Sequence, residues 1–555
     1  MNRNLKVHSF LLVFWITTGL ILRLIHLGSK PIWSDEFATL VFSLGHGFRG
    51  IPLDQLIELE TLLTPLRLDS GIHLRAVSEH LFTESNHPPV YFMLTHLWVK
   101  LFSNSGEFVS IWGARSLSTI LGTVSIPMMF GLGWIGFYSL TVGQFAAALM
   151  AVSPFGVYLA QEARHYTLAM LLIMASLMCL MIALREVQQQ KSLPSWFVLL
   201  WIGINTLGIA VHFFFGVVLG AIGLVTLWFW LLKLPRSPAW LGICQAAVGS
   251  MIGGLIWLPI LFKISSSDDG LISWIFYGEP SQDFIEPLLR IFVWIVTMVV
   301  IFPVENQSLG LTLFSATGML SLFGIGIYLI VQGQKYIPHF WDLPRQILIG
   351  TLLSILVIFL ITTYGFRIDL TLASRYQFTY FPVVISLFSV YLSLVWQSPK
   401  NPQHLRKLVG LILIAGLFSS LMVINNLAYQ KPDRSDLVAG AIAPTLSVTT
   451  PSLIATVYKN HEQIGEMMGI AWELKQLEPT RKPPQFLLAQ KSGDPSIPVR
   501  TLNQVLSTIS RPLNLWTVNF SAPQELEGQN CFQDEGSKSR VSGYYFRMYQ
   551  CLPDN

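Results

Sequence analysis

Charge is scarce in this sequence. Only 12% of its 555 residues are Asp, Glu, Lys or Arg, about half the share of a soluble domain, whereas 52% are hydrophobic. That shortage excludes a soluble, disordered or nucleic-acid-binding chain and leaves a membrane protein. The surplus of positive charge is also small, 35 Lys and Arg against 31 Asp and Glu, so its placement in short loops matters more than its size. Cysteine is rare too, and four residues exclude a disulfide-rich scaffold. Cys179 and Cys244 lie in apolar runs with no metal-ligand partner nearby, while Cys531 and Cys551 are the only two in the polar C-terminal part. In an oxidising compartment this second pair is expected to form a disulfide.

What the sequence does contain is apolar runs long enough to cross a bilayer, about 20 residues each, recurring from residue 9 to residue 427. The first, Ser9 to Gly28, follows Arg3 and Lys6 as a signal peptide would, but no small-residue cleavage site comes after it, and it reads as a retained helix. Further spans are expected at 114–135, 140–160, 166–184, 195–213, 215–232, 239–262, 308–331, 346–364, 377–396 and 408–427, which makes about eleven. The runs 89–102 and 287–302 are expected to be surface or re-entrant helices, and counting both as spans gives about thirteen with the same termini. With the N-terminus in the cytoplasm, Arg185 to Lys191, Lys233 to Arg236, Lys335 to Arg345 and Lys400 to Lys407 become the interior loops, and all carry basic residues. Residues 29–113, 263–307 and everything after about 428 then lie outside. The polar tail alternates strand-like runs at 452–458, 485–490, 513–520 and 543–549 with helix-like runs at 435–443 and 462–477, the pattern of a small α/β domain. The expected division is thus 1–430, a mainly α polytopic domain, and 431–555, an extracytoplasmic α/β domain.

None of the proposed spans contains an Asp or Glu. An ion-coupled transporter needs ionisable groups at membrane depth, so that class is disfavoured. The acids sit instead beyond the outer helix ends, as suits an enzyme acting at the membrane interface on a lipid-tailed substrate. Asp35 and Glu36 follow the first span closely and offer a general base with an orienting partner, or equally two acids favoured at a helix N-terminus. His87, in Asn86-His87-Pro88-Pro89, is either held at a fixed height above the membrane by the double proline or incidental to a helix start. Around Gln161-Glu162-Ala163-Arg164-His165-Tyr166, Arg164 can meet a phosphate bidentately with Glu162 ordering it, or Arg164 and Tyr166 can anchor a helix end. His212, Arg375 and Tyr376 stand at proposed outer helix ends, where anchoring is the ordinary use.

Six motifs in order then resemble one family: the Asp-Glu pair after the first helix, HPPVYFMLTHLWVKLF, Ala114-Arg115-Ser116 opening a span, SPFGVYLAQEARHY, HFFFG and ASRYQFTYFP. Together they look like the family-39 glycosyltransferases of the GT-C type, a group that includes protein O-mannosyltransferases and lipid A aminoarabinose transferases, and especially its bacterial members. The resemblance covers about residues 10 to 430. It implies a plasma-membrane enzyme that takes a sugar from a polyprenyl-phosphate donor and transfers it, with inversion, to a lipid, glycan or protein acceptor on the outer face. Asp35 would match the catalytic base with Glu36 beside it; His87, Glu162, Arg164, Tyr166, His212, Arg375 and Tyr376 would bind substrate, and some relatives place a divalent metal near the outer-loop acids. A lipid-linked-sugar flippase and an oligosaccharide polymerase or ligase are the competing classes.

Overall fold

Each apolar run folds as a helix, because a chain in lipid must satisfy its backbone hydrogen bonds within itself. The computed structural model describes residues 3–260, 284–398, 403–477, 482–491, 494, 496–520, 526–534, 536 and 539–553. Among these, seven helices are long and apolar enough to cross a membrane: Leu5–Leu24, Ile111–Phe137, Tyr166–Gln188, Phe215–Leu232, Leu309–Gln334, Asp342–Gly365 and Gln403–Ile424. Phe10, Leu232, Leu309 and Phe314 on these helices are 72%, 71%, 75% and 76% exposed, an apolar surface suited to lipid rather than water.

The run expected to span over 140–160 is broken. Leu140–Val152 and Pro154–Ala160 meet at 59°. Pro154 has no N–H to continue the ladder and disfavours helix in the residue before it, and Ser153 accepts the Gly156 N–H as the cap of the second piece. Buried Arg23 from the first helix closes the break by donating to the carbonyls of Met150 and Ala151. Ser195–Val211, Ala239–Leu255 and Phe381–Gln397 are apolar helices of 17 residues each, about 25 Å long and at the lower limit for a bilayer. Val90–Val99 and Glu286–Thr297, with 10 and 12 residues, are too short to cross. Positions 261–283, the end of the expected span 239–262 and the first part of the expected outer loop 263–307, and Lys400 lie outside the described residues.

Among the described residues, the tail and one strand of the first long loop build a seven-stranded mixed sheet from β1 (Leu56–Glu58), β2 (Ser452–Tyr458), β3 (Gln485–Gln490), β4 (Leu513–Val518), β5 (Cys531–Gln533), β6 (Ser539–Val541) and β7 (Tyr544–Cys551), in the order β1-β3-β2-β4-β7-β5, with β6 beside β7. β2 runs parallel to β3 and β4, whereas β1 and β7 are antiparallel to their neighbours. The edge strand β1 comes from the first long loop and not from the tail. Leu56, Ile57 and Glu58 pair with Leu487, Phe486 and Gln485. Cys531 and Cys551 face each other across β5 and β7 and form the expected disulfide, with Cα atoms 3.9 Å apart.

The helix Ser34–Ser43 is held by the tail helix His461–Leu477. Phe37, Leu40 and Val41 of the first share a buried core with Ile464, Met467 and Met468 of the second. Gly465 permits the approach, since a Cβ there would stand 3.2 Å from Ser34 Cα, while Gly469 lets the same tail helix lie close to Ser435, where a Cβ would stand 3.0 Å from Ser435 Cβ. The residue before Asp35 is thereby seated against the tail.

Candidate active site

Pro31 and Trp33 lead the chain from the first membrane helix into Ser34–Ser43, with Trp33 extended at the cap position and the two acids in the first turn. Consecutive residues of a helix point about 100° apart, so Asp35 and Glu36 cannot share an environment. Asp35 lines a cavity of about 430 Å³ at the junction of the membrane helices and the tail. Glu36 points away from it and is fully buried.

The Asp35 side chain is 33% exposed, with Oδ2 at 3.3 Å from Arg164 Nη2 and 3.5 Å from Arg375 Nε. Burial alone would raise its carboxyl, but the two guanidiniums outweigh that effect and hold it below the ordinary value. Arg164 also donates to the Asp35 carbonyl, to Thr39 Oγ1 and to His87 Nε2. Arg375 lies over the ring of Trp33, at 4.8 Å from its centroid. His87 is pushed down to about 3, first by burial and then by Arg164. It is therefore neutral, accepting from Arg164 at Nε2 with Nδ1 at 3.2 Å from Ser85 Oγ.

Seven residues named from sequence line this one cavity: Asp35, His87, Arg164, Tyr166, His212, Arg375 and Tyr376. Two do not. Glu36, expected beside Asp35 in the chemistry, accepts from Arg115 at Oε1 and Oε2, 2.7 and 2.8 Å away, and accepts the Ala163 N–H at 2.9 Å. Burial would raise its carboxyl, but Arg115 and Lys431 hold it at about 2. Glu162, expected to bind substrate, is fully buried and holds Lys431 Nζ at 2.6 Å. Arg115 extends this cluster by donating to the carbonyls of Leu27, Lys30 and Pro31, which fixes the segment that delivers Asp35.

Sequence reasoning missed the tail's share of the wall, Pro432, Asp433, His461 and Glu462. Hydropathy carries no signal for it, because His461 and Glu462 reach the cavity through the contact of two helices distant in sequence, and Pro432 and Asp433 through the link that precedes the tail. His165 was also missed. Its ring stands between His87 and His212, at 5.2 and 4.3 Å, and burial, followed by His212 and Arg164, pushes it well below the ordinary histidine value.

Among the described residues, no three His, Cys, Asp or Glu side chains are grouped to hold a metal ion. The outer-loop acids themselves do not fit a divalent cation, since Asp35 lies between two guanidiniums and Glu36 commits both oxygens to Arg115.

A set of membrane helices beneath an α/β layer, with a charged cavity where they meet, defines the class as a membrane protein whose candidate site lies at the junction of the two. No protein-family profile matches the chain, and no curated protein matches it. Among solved structures, it is similar to ArnT from Cupriavidus metallidurans bound to undecaprenyl phosphate, at 12% identity over 97% of each chain with a TM-score of 0.51. Also similar are the Archaeoglobus fulgidus oligosaccharyltransferase in the apo form (12% identity, 83% of this chain and 64% of that one, TM-score 0.46) and the arabinofuranosyltransferase AftD from Mycobacteria (15%, 100% and 42%, 0.41). At this identity the likeness to ArnT is one of fold, and the fold is the GT-C fold that the six motifs imply.

Proposed function

We propose that this protein is an integral-membrane glycosyltransferase that moves a sugar from a polyprenyl-phosphate donor to the hydroxyl of an envelope lipid, glycan or protein acceptor on the outer face, with inversion. The observation that carries this reading is a partly exposed carboxylate set between two guanidiniums, 3.3 and 3.5 Å away, in a cavity between membrane helices and a soluble layer. The fold it shares with a protein crystallised with undecaprenyl phosphate supports the same donor class.

The chemistry needs a proton acceptor and a place for negative charge. As the acceptor hydroxyl attacks the anomeric carbon, its proton passes to Asp35, the bond from that carbon to the phosphate oxygen breaks, and the lipid phosphate leaves with one more negative charge than the diester carried. Arg164 and Arg375 stabilise that charge where it develops. A donor phosphate also shares the arginines with Asp35, which weakens their hold on the carboxylate and makes it a better base when the donor is present. Neutral His87 holds Arg164, while Tyr166, His212 and Tyr376 form the wall around the sugar and phosphate. In this reading the helices 195–211, 239–255 and 381–397 and the broken 140–160 pair also span, giving about eleven crossings with the N-terminus inside.

The test is Asp35→Asn, which keeps the shape of the side chain and removes the proton acceptor. Transfer by purified protein from a panel of polyprenyl-phosphate hexoses is expected to fall by about 10²- to 10⁴-fold, with the affinity for undecaprenyl phosphate little changed. A folded Asp35→Asn protein that transfers at the wild-type rate would overturn the assignment.

A further inference from the structure

A short strap, residues 425–434, joins the last membrane helix, which ends at Ile424, to the tail. On the membrane side, Tyr429 stacks on Tyr158 at 4.8 Å, its hydroxyl donates to Thr297, and the Gln430 N–H donates to Glu305. On the tail side, the Arg434 N–H donates to the Ser542 carbonyl. Gly543, at φ +80°, leaves no room beside Asp433, because a Cβ there would stand 2.9 Å from Asp433 Oδ1. The strap is therefore fixed at both ends, and its middle is buried: Lys431 and Asp433 are 2% and 8% exposed.

The middle of the strap meets the two chain neighbours of Asp35. Asp433 Oδ2 accepts the Ser34 N–H at 2.8 Å. Lys431 Nζ donates to Glu162 at 2.6 Å and lies 3.9 Å from Glu36 Oε2. We propose that Lys431 and Asp433 are positioning residues, which hold Ser34 and Glu36 from the tail side so that the Asp35 carboxylate stays in the cavity between Arg164 and Arg375. The two residues brace the first turn of one short helix from one side, as Arg115 and the Ala163 N–H brace it from the other. An error of about 1 Å in a reacting group costs about 10²-fold in rate, so a brace of this kind governs turnover through the placement of Asp35, Lys431 acting from outside the cavity and Asp433 from its wall. The activity arm of its test rests on the glycosyltransferase reading, and the exchange arm does not.

Removing Lys431 alone leaves Glu162 buried and unpaired, a change that can unfold the protein. The test therefore uses the full-length chain with Lys431→Met/Glu162→Gln, which removes both charges together, alongside Asp433→Ala and the conservative Lys431→Arg. Amide hydrogen exchange of residues 34–37 is expected to rise about tenfold in the first two variants, with the amides of Tyr166–Gln188 unchanged. In Lys431→Met/Glu162→Gln, whose residues lie outside the cavity, turnover should fall by about 10²-fold while undecaprenyl phosphate binds as in wild type, and Lys431→Arg should keep most of the rate. Wild-type exchange at 34–37 would overturn the proposal. So would a loss shared evenly by exchange in every helix, phosphate binding and turnover, which is the signature of general destabilisation. If exchange rises as expected while the wild-type chain transfers no sugar from any polyprenyl-phosphate hexose, the positioning role stands and the glycosyltransferase reading falls.

Discussion

Asp35 and Glu36 are adjacent in the chain and opposite in environment, and most of the site's behaviour follows from that difference. Because the guanidiniums hold the Asp35 carboxyl below its ordinary value of 3.8, it remains ionised through neutral and mildly acidic pH in the donor-free protein, and with Asp35 as base kcat/KM is expected to fall only as pH drops through that lowered value. Arg375→Ala removes one of the two cations, so the acid limb of the pH–rate profile is expected to move to higher pH while donor affinity weakens. A limb that stays in place would deny Arg375 its hold on Asp35. Glu36 makes its contribution to stability instead. Its carboxyl is at about 2 in the folded chain against an ordinary 4.5, so the stabilisation is fully present above about 4.5 and is lost as pH falls towards 2. Glu36→Gln leaves Arg115 buried and only partly compensated, at a cost of about 3 to 5 kcal/mol. Thermal unfolding in detergent measures this, and an unchanged midpoint would contradict the buried pair. The sequence made these two acids conspicuous but not their division of labour, because the pattern Asp-Glu does not say which helix face meets the cavity and which meets Arg115.

The elements show the same mixture of legible and hidden features. Strands β2, β3, β4 and β7 were readable from β-branched and aromatic runs, and the membrane helices from hydropathy, since in each case the signal lies within the segment that forms the element. Three-residue β1 was not readable, because Leu56-Ile57-Glu58 becomes a strand only by pairing with Gln485–Leu487. The break at Ser153 was legible in Pro154, yet a continuous apolar run hid it, and Arg23 with its carbonyl partners is what stabilises the bend. One close inter-element contact beside the site is Gly465 against Ser34. Gly465→Val forces side-chain atoms into that contact and is expected to cost about 1 to 3 kcal/mol, with transfer reduced more than stability because the displaced residue is next to Asp35. Denaturation followed together with transfer rate tests this, and a variant as active and stable as wild type would mean that the two helices are free to separate.

At the scale of the whole molecule, the cavity belongs to neither the membrane helices nor the tail alone, since Asp35, Arg164 and Arg375 come from one and Asp433, His461 and Glu462 from the other. The two must lie on the same side of the membrane. From the basic loops we propose that this side is outside, and a disulfide between Cys531 and Cys551 is consistent with an oxidising compartment there. A reporter joined after Leu427 is accordingly expected to be active only when it is of the type that works outside the cytoplasm. Activity of a cytoplasm-only reporter at that position would invert the orientation of every loop.

The sheet edge contributed by β1 also sets a timetable for biogenesis. Glu58 leaves the ribosome 427 positions before Gln485, the residue it pairs with. At about 5 to 20 residues per second, the exported loop waits roughly 20 to 85 s for its partner. Until then its backbone donors and acceptors stand open to any passing strand, and the turn carrying Asp35 has nothing from the tail to rest on. The part of the cavity wall made by Asp433, His461 and Glu462 is thus assembled only after the tail has been synthesised.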